Sequence, residues 1–309
     1  MKSTRSILSA ILISDVGLRR KQNQDNFFFN CKINENESKH IYLDIEKKLF
    51  PLSIAIFDGM GGECLGAEAS KITAEMCRKY EYRILEYLSK NLSKEDNEKM
   101  FNSFVKEISQ SVKKMSDDNG VKLSGSTLVL CFFVGSYAHI ISVGDSSAYL
   151  IRGSKIQLLN KLDVIIIEQK SLDSKPIKGG LSQFIGIDTN EFRLSVNYSK
   201  VKLEKNDKFL FCSDGITDLV LDDEIYKIII NNDLERASKD LLSLSFDRGG
   251  VDNTTLALCE VDFLDDSKNS SPKIDIERFI NIKNILLFCI IIFIIFIYLV
   301  CSNKLDFYK

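Results

Sequence analysis

The sequence predicts an α+β fold in which antiparallel strands form a sandwich and helices are inserted in pairs. Between residues 126 and 159, short β-rich segments follow one another closely and are separated by turn residues, which is typical of an antiparallel meander. Amphipathic segments occur as two consecutive pairs, at 67–115 and 222–245. A doubly wound parallel sheet instead alternates single strands with single helices, so the pattern disfavours that class.

Three strands and two helices are predicted in the N-terminal half. Residues 7–14, 27–29 and 54–57 are apolar and favour strands, whereas the polar stretch 31–50 indicates a loop or an irregular hairpin. Large side chains recur every four residues in the first helix, at Ile72, Met76, Tyr80, Ile84 and Leu88. Ser93 is the expected N-cap of the second helix, with Asp96 three residues later. Its buried face is expected to comprise Phe101, Phe104, Ile108, Val112 and Met115.

The C-terminal half predicts mostly strands, with one further helix pair. The strands are expected at 127–134, 138–143, 148–151, 155–159, 192–198, 208–212 and 254–261. The helices are expected at 222–231 and 234–245. We therefore predict a domain over residues 1–264, followed by a polar linker over 265–280.

The C-terminus predicts a transmembrane helix over residues 281–303, with a short tail at 304–309. Twenty uncharged residues separate Lys283 from Lys304, and a helix of that length rises roughly 30 Å, about the thickness of a bilayer core. A buried core helix is the alternative interpretation. Basic residues before the segment weakly favour a single-pass protein with its large domain in the cytoplasm.

Composition argues against several other classes of protein and of active site. The 309 residues carry a formal net charge of −2, which gives no support for nucleic-acid binding. Eight scattered cysteines, without a predicted signal peptide, fit a reducing cytosol better than a disulfide framework. With only two histidines, His40 and His139, a histidine-rich zinc site or a Ser-His-Asp triad is disfavoured. His139, in an apolar strand, is expected to be structural.

Three acidic motifs carry the chemical signal: Asp58-Gly59-Met60-Gly61-Gly62, Ser213-Asp214-Gly215 and Asp252-Asn253-Thr254. Each lies next to a predicted strand, where turns can bring distant carboxylates together. Clustered carboxylates usually hold hard cations, and the Gly59 carbonyl could add a neutral oxygen. The motifs together therefore predict a Mg²⁺ or Mn²⁺ site that acts on phosphate, although a single Asp-Gly turn is weak evidence.

The segment Gly17-Leu18-Arg19-Arg20-Lys21-Gln22-Asn23-Gln24-Asp25 supplies basic residues. An arginine presents a planar fork of donors suited to phosphate oxygens. A solvated turn is the alternative for Arg19, Arg20 and Lys21. Asp25 could equally be a turn carboxylate or a strand cap.

With these motifs in place, the chain resembles the metal-dependent protein phosphatases of the protein phosphatase 2C family, in their bacterial form. The matches, over roughly residues 10–260, are Ser14-Asp15-Val16-Gly17, Arg20, Asn23-Gln24-Asp25, Asp58-Gly59-Met60-Gly61-Gly62, Gly125-Ser126-Thr127, Val143-Gly144-Asp145-Ser146, Ser182-Gln183 with Gly186, Ser213-Asp214-Gly215-Ile216-Thr217-Asp218 and Gly249-Gly250-Val251-Asp252-Asn253. The resemblance implies a central β-sandwich with helix pairs on both outer faces, a four-layer αββα arrangement.

The resemblance also implies roles. Asp58 would bridge two Mg²⁺ or Mn²⁺ ions, Asp214 and Asp252 would complete the first site, and the Gly59 carbonyl would serve the second. Asp145 and Asp214 would hold a third, weaker ion. Asp25 would orient the waters of the second site, and Asn253 would support the first.

Arg20 would bind the substrate phosphate, and a metal-activated water would attack a phosphoserine or phosphothreonine ester. The expected partners are phosphorylated proteins, a Ser/Thr kinase or its substrates, and the membrane.

Several positions depart from the family pattern. Met60 occupies a position where animal members usually carry His, and Ser147 replaces an Arg. Only Asp163-Val164 remains of an Asp-His pair, and the stretch 163–182 is short, which predicts a reduced substrate-facing flap. These departures leave a second hypothesis open, a pseudophosphatase that binds phosphorylated partners or senses a signal. The retained carboxylates favour an enzyme that opposes a Ser/Thr kinase.

Overall fold

We analysed a computed structural model, which describes residues 6–29, 32–34, 40–61, 65–167 and 177–264. The chain divides into two units, Met1–Pro272 and Lys273–Lys309, and the described residues belong to the first. The predicted linker at 265–280, membrane helix at 281–303 and tail at 304–309 lie outside the described residues. Among the helices that are described, none has the length and apolar character needed to cross a bilayer.

The described residues form sixteen strands and five helices. The strands are β1 Ile7–Asp15, β2 Asn26–Phe29, β3 Lys32–Ile33, β4 His40–Leu49, β5 Leu52–Phe57, β6 Gly59–Met60, β7 Gly125–Ser126, β8 Leu128–Val134, β9 Tyr137–Val143, β10 Ser147–Arg152, β11 Lys155–Leu158, β12 Val164–Ile167, β13 Ile177–Leu181, β14 Asn197–Lys202, β15 Lys208–Cys212 and β16 Thr254–Phe263. The helices are α1 Leu65–Ser89, α2 Lys94–Asp118, α3 Asp214–Thr217, α4 Asp222–Asn231 and α5 Leu234–Asp247.

Two six-stranded antiparallel sheets dominate this unit. The first has the strand order β11-β10-β15-β16-β1-β4, and the second has the order β14-β9-β8-β5-β2-β3. Two small two-stranded sheets, β6-β7 and β12-β13, complete the described set. Strands distant in sequence, such as β1 and β16, therefore lie side by side, and loops at their ends can meet.

The two sheets pack face to face over one hydrophobic core. The side chains of strand β1 illustrate this arrangement. Leu8, Ala10 and Leu12 point into the core between the sheets, whereas Ile11 and Ile13 belong to a second hydrophobic cluster beneath α3, α4 and α5. Phe209 of the first sheet and Phe133 of the second meet edge to face, with ring centroids 5.4 Å apart.

Helices cover both outer faces of the sandwich. On the second sheet, α1 contacts β2, β5 and β8, and Phe101 of α2 stacks on Phe132 of β8 with ring centroids 6.1 Å apart. On the first sheet, α5 contacts β1 and β16. The four layers confirm the predicted αββα sandwich of antiparallel sheets and helices.

The strand β4 corrects the prediction of a loop or irregular hairpin over residues 31–50. It pairs with β1 from Ile7↔Leu49 to Asp15↔His40. Because β4 is an edge strand, it needs one neighbour and no continuous apolar run, and charged residues are common on such edges. The hydrophobic pattern therefore gave no strand signal.

Two further predictions need correction. The strand expected at 192–198 begins at Asn197, where pairing with Ser142 of β9 fixes its register. In α1, Ile72, Met76 and Tyr80 are only half-buried, because smaller residues of the same helix face the sheet. That buried set includes Ala69, Thr73, Ala74 and Cys77.

Most of the predictions for α2 are confirmed. Ser93 is its N-cap and accepts a 3.1 Å hydrogen bond from the Asp96 N–H. Four of the five residues expected on its buried face are buried, and Met115 is half-buried.

Candidate active site

The acidic motifs converge on one cavity of about 770 Å³. Each predicted carboxylate adjoins a strand end: Asp25 precedes β2, Asp58 follows β5, Asp145 lies two residues before β10, Asp214 follows β15 by two residues, and Asp252 lies two residues before β16. All of these except Asp25 line the cavity, together with Arg20, Gly59 and Met60. The predicted convergence of remote carboxylates is therefore a feature of the structure.

Asp25 lies behind the cavity wall and is 2% exposed. Its Oδ2 accepts a 2.8 Å hydrogen bond from the Ser213 hydroxyl, whereas its Oδ1 has no hydrogen-bond partner among the described residues. Burial, and secondarily the charges of Asp214 and Asp252, raise the pKa of Asp25 to about 7. A buried acceptor without a donor is costly unless something absent from the protein itself satisfies it.

Asp58 stands at the centre of the acidic group. Burial raises its pKa well above the usual range, and the charges of Asp25, Asp214, Asp145 and Asp252 raise it further. Carboxylates so placed repel one another unless protons or cations neutralise them. This group of carboxylates is therefore suited to binding a hard cation.

The backbone around Asp58 is held by Thr127. The Asp58 N–H donates to the Thr127 hydroxyl at 2.9 Å, and the Thr127 N–H donates to the Asp58 carbonyl at 2.8 Å. The Thr127 and Ser146 hydroxyl oxygens lie 2.6 Å apart, which links Asp58 to the turn that carries Asp145. This positioning role was not predicted, although the Gly125-Ser126-Thr127 match pointed to the segment.

Gly59 is required for steric reasons. A Cβ at this position would lie 2.2 Å from the Gly66 carbonyl oxygen and 2.6 Å from that of Gln24. The Gly59 backbone therefore packs directly against α1 and the N-terminal turn, and its carbonyl remains a candidate neutral ligand.

Hydrogen bonds of Asn253 connect the acidic group to the basic turn, the segment Gly17–Asp25 that carries Arg20. Its side-chain amide donates to the carbonyls of Val16 and Gln22 at 2.9 and 3.0 Å, and its Oδ1 accepts from the Gln24 N–H at 2.8 Å. The neighbour of Asp252 thus fixes both ends of the turn that carries Arg20. This geometry agrees with the supporting position predicted for Asn253.

Arg20 reaches the same cavity from that turn. Its Nη2 donates to Asp252 Oδ2 at 2.7 Å, and its side chain is 51% exposed. This hydrogen bond and the charges of Asp252, Asp58 and Asp214 raise the Arg20 pKa, so the guanidinium is permanently charged. An exposed fork of donors beside carboxylates suits a bound phosphate.

The Asp163 carboxylate holds several segments together by hydrogen bonds. In the sequence, this residue is recognised only as what remains of an Asp-His pair. Its carboxylate accepts from the Gly144 N–H at 3.1 Å, from Gln183 Nε2 at 3.1 Å and from Asn197 Nδ2 at 3.2 Å. It therefore connects the turn before Asp145 to the segments that follow the β12–β13 hairpin. Asp163 positions the acidic group and does not line the cavity.

These residues fit a water-rich metal site. In the described part of the chain, no three His, Cys, Asp or Glu side chains form a group that could by itself hold a metal ion. Mg²⁺ does not need one, because it retains several waters and takes one or two carboxylates. The all-oxygen ligand set, the repulsion at Asp58 and the unsatisfied Oδ1 of Asp25 suit such an ion.

The comparisons with known proteins assign the chain to a family. A sequence model described as "Protein phosphatase 2C" matches residues 44–247, more than half of the chain. The chain belongs to the protein phosphatase 2C family. The family is one of metal-dependent protein phosphatases, so the resemblance carried by the motifs is confirmed.

Individual relatives are distant. "Protein phosphatase PhpP" of Streptococcus pneumoniae is 25% identical over 257 residues, which cover 80% of this chain and 95% of that protein. "Serine/threonine protein phosphatase PstP" of Mycobacterium tuberculosis is 23% identical over 260 residues, covering 80% of this chain. The match spans only 44% of the length of PstP.

A solved structure supports the fold. The catalytic domain of PstP, solved in complex with two manganese ions, has a TM-score of 0.61 and 21% sequence identity to this chain. The alignment covers 84% of this chain and all of that domain. At this identity the match shows the shared fold of the protein phosphatase 2C family, and the two ions are a property of the PstP domain.

Proposed function

We propose that this chain is a divalent-metal-dependent phosphatase that hydrolyses phosphoserine and phosphothreonine esters in proteins. The observation that carries the proposal is the convergence of Asp58, Asp145, Asp214 and Asp252 on one cavity that Arg20 also lines. Membership of the protein phosphatase 2C family and the printed names of its relatives support the same reaction class.

The carboxylates have the roles that the family resemblance implies. Asp58, Asp214, Asp252 and the Gly59 carbonyl would hold two Mg²⁺ or Mn²⁺ ions, with Asp145 available for a third. When bound, such ions supply an activated water nucleophile and neutralise phosphate charge. Asp25, whose Oδ1 lacks a donor among the described residues, would accept a hydrogen bond from a water at the site.

The remaining cavity residues bind the substrate and leave proton transfer to water. Arg20 presents guanidinium donors to phosphate oxygens. Met60 lines the cavity but has no proton to give, and we propose that water supplies the proton for the leaving serine or threonine oxygen. The side chains thus bind and orient the ester more than they exchange protons with it.

A fragment comprising residues 1–272, the first compact unit, tests the proposal. It should release phosphate from a phosphothreonine peptide with Mn²⁺ and stop on addition of EDTA. Asp214→Asn should lower turnover by orders of magnitude and reduce the Mn²⁺ affinity measured by calorimetry. Asp118→Asn, which changes an exposed carboxylate at the end of α2, is the matched control and should behave like the wild type.

The alternative, a pseudophosphatase, predicts a different result. Calorimetry would then show Mn²⁺ bound and a phosphopeptide bound at micromolar concentration, while no phosphate is released over hours. That outcome would refute the enzymatic proposal and leave a phosphate-binding module.

We also propose that residues 281–303 anchor the enzyme to a membrane, with its catalytic domain in the cytoplasm, where it opposes a Ser/Thr kinase. The support is the uncharged apolar segment between Lys283 and Lys304. Anchoring would raise the local concentration of enzyme near membrane-bound substrates. Deleting residues 281–309 should move the protein to the soluble fraction and slow dephosphorylation of a membrane-bound kinase. If both stay unchanged, the anchor and its proposed target are wrong.

A further inference from the structure

The turn that carries Arg20 also carries two further cations, Arg19 and Lys21. Both line the cavity that holds the acidic group, and both are exposed. Within the ranges that the structure describes, neither side chain forms an ion pair or a hydrogen bond, whereas Arg20 is paired with Asp252. Two charges at the mouth of the site therefore remain available to a ligand.

These cations are presented by a fixed segment. The Leu18 N–H donates to the Gly250 carbonyl at 2.8 Å, on one side of the pair. On the other side, Asn253 Nδ2 donates to the Gln22 carbonyl at 3.0 Å. Because the backbone is held at both ends, the cations stay close to Arg20 and lose little backbone entropy when a ligand binds.

Their spacing suits the residues around a phosphorylated side chain. Consecutive Cα atoms lie about 3.8 Å apart across a trans peptide bond, in the turn and in a bound peptide alike. A peptide whose phosphate contacts Arg20 would therefore bring its neighbouring side chains near Arg19 and Lys21. Acidic neighbours would be attracted and basic neighbours repelled, over a range of about 8 Å at physiological salt.

We propose that Arg19 and Lys21 select phosphoprotein segments in which acidic side chains flank the phosphorylated residue. The inference rests on the phosphatase function proposed above and specifies its substrate class. Each exposed ion pair contributes little, roughly a 1.5- to 5-fold preference. The two together should therefore favour an acidic over a neutral flank by roughly 2- to 25-fold at low salt.

The test uses three phosphothreonine peptides of equal length, with acidic, neutral or basic flanking residues, and Mn²⁺. The readout is the ratio of kcat/KM for the acidic peptide to kcat/KM for the neutral peptide, measured within each variant. A loss of activity that affects both peptides equally leaves this ratio unchanged. The ratio should fall towards one in Arg19→Gln/Lys21→Gln and in wild-type protein at high salt. Lys155→Gln removes an exposed cation of β11 that does not line the cavity and should keep the wild-type ratio.

The outcomes separate this inference from the function on which it rests. Hydrolysis of all three peptides at equal rates, or a preference that survives in the double variant, overturns the role of Arg19 and Lys21 and leaves the phosphatase intact. If no peptide is hydrolysed, the proposed function fails. Fluorescence anisotropy with the same peptides then gives the acidic-to-neutral binding ratio, and a ratio of one overturns the inference as well.

Discussion

Arg20 and Asp252 lie 232 residues apart in the sequence, yet their side chains form a 2.7 Å hydrogen bond at the mouth of the acidic cavity. The contact ties the basic turn before β2 to the acidic turn before β16. Only one guanidinium nitrogen makes this bond, so the arginine can hold Asp252 and still offer donors to a phosphate.

Replacing this arginine by lysine should separate charge from geometry. Arg20→Lys keeps the positive charge but removes the planar fork, so kcat/KM for a phosphopeptide should fall roughly 10- to 100-fold, mainly through KM. Steady-state kinetics with Mn²⁺ measure the effect. Arg236→Lys, at an exposed ion pair with Asp240 on α5, is the control and should change little. An unchanged KM in Arg20→Lys would remove the arginine from the phosphate site.

A methyl group at Gly17 should disturb the acidic site without touching a carboxylate. Gly17 has φ +75°, and a Cβ there would lie 2.1 Å from the Asp252 carbonyl oxygen. Gly17→Ala should therefore cost more than the roughly 1 kcal/mol typical of a strained backbone, and should weaken Mn²⁺ binding by displacing Asp252.

The matched control for this substitution is Gly135→Ala. Gly135 has φ +58°, but a Cβ there would meet nothing within 4 Å. Chemical denaturation should show the smaller, purely conformational loss for Gly135→Ala, with Mn²⁺ affinity unchanged. Equal losses in the two variants would contradict the steric argument.

Stabilisation by metal should grow with pH. Burial raises the pKa of Asp25 from 3.8 to about 7, so its protonated form stabilises the metal-free fold below pH 4, and this contribution is lost as pH rises through 7. A metal ion needs the deprotonated carboxylates and binds more tightly at higher pH. The gain in Tm from Mn²⁺ should therefore increase from pH 5.5 to pH 8, and thermal unfolding measures it.

Asp25→Asn provides the control for the pH prediction. The variant cannot titrate at this position, so the decline in stability of the metal-free protein between pH 5.5 and pH 8 should be smaller than in the wild type. A gain in Tm that is constant across this range would show that protonation does not compete with metal binding.

His139 should make the fold sensitive to acid. Its Nδ1 lies 2.9 Å from the Tyr198 hydroxyl, and burial, with a smaller effect of the Lys200 charge, lowers its pKa from 6.5 to about 4. The unfolded chain therefore takes up the proton first, and stability falls as pH drops from 6.5 towards 4, by up to about 3 kcal/mol.

Urea unfolding at pH 7.5 and pH 5 measures this effect. His139→Gln should lower stability at pH 7.5, because it loses the contacts with Tyr198. It should also narrow the difference in the free energy of unfolding between pH 7.5 and pH 5. A difference that His139→Gln does not narrow would assign the acid sensitivity to other groups.

Local chemistry along the chain was sufficient to predict much of the fold. The predicted strand at 208–212 and helix at 222–231 match β15 and α4 in both bounds. The strand is a short apolar run between polar residues, and the helix has apolar residues at helical spacing. Ser93 marks the start of α2, since an N-cap acts on the backbone three residues away. Asp58, Asp214 and Asp252 were named from motifs that combine Asp with Gly or Asn at strand ends, whereas Asp145 was named from the family resemblance.

Contacts between distant segments decided the rest. The polar edge strand β4 exists because β1 offers it a partner, which no periodicity within residues 31–50 reveals. The half-buried Ile72 and Met76 depend on how α1 lies on its sheet. Likewise, the unsatisfied oxygen of Asp25 and the mutual repulsion at Asp58 arise only when separate turns meet. Sequence sets which residues are available, whereas packing sets the distances and burial on which hydrogen bonds and charge interactions depend.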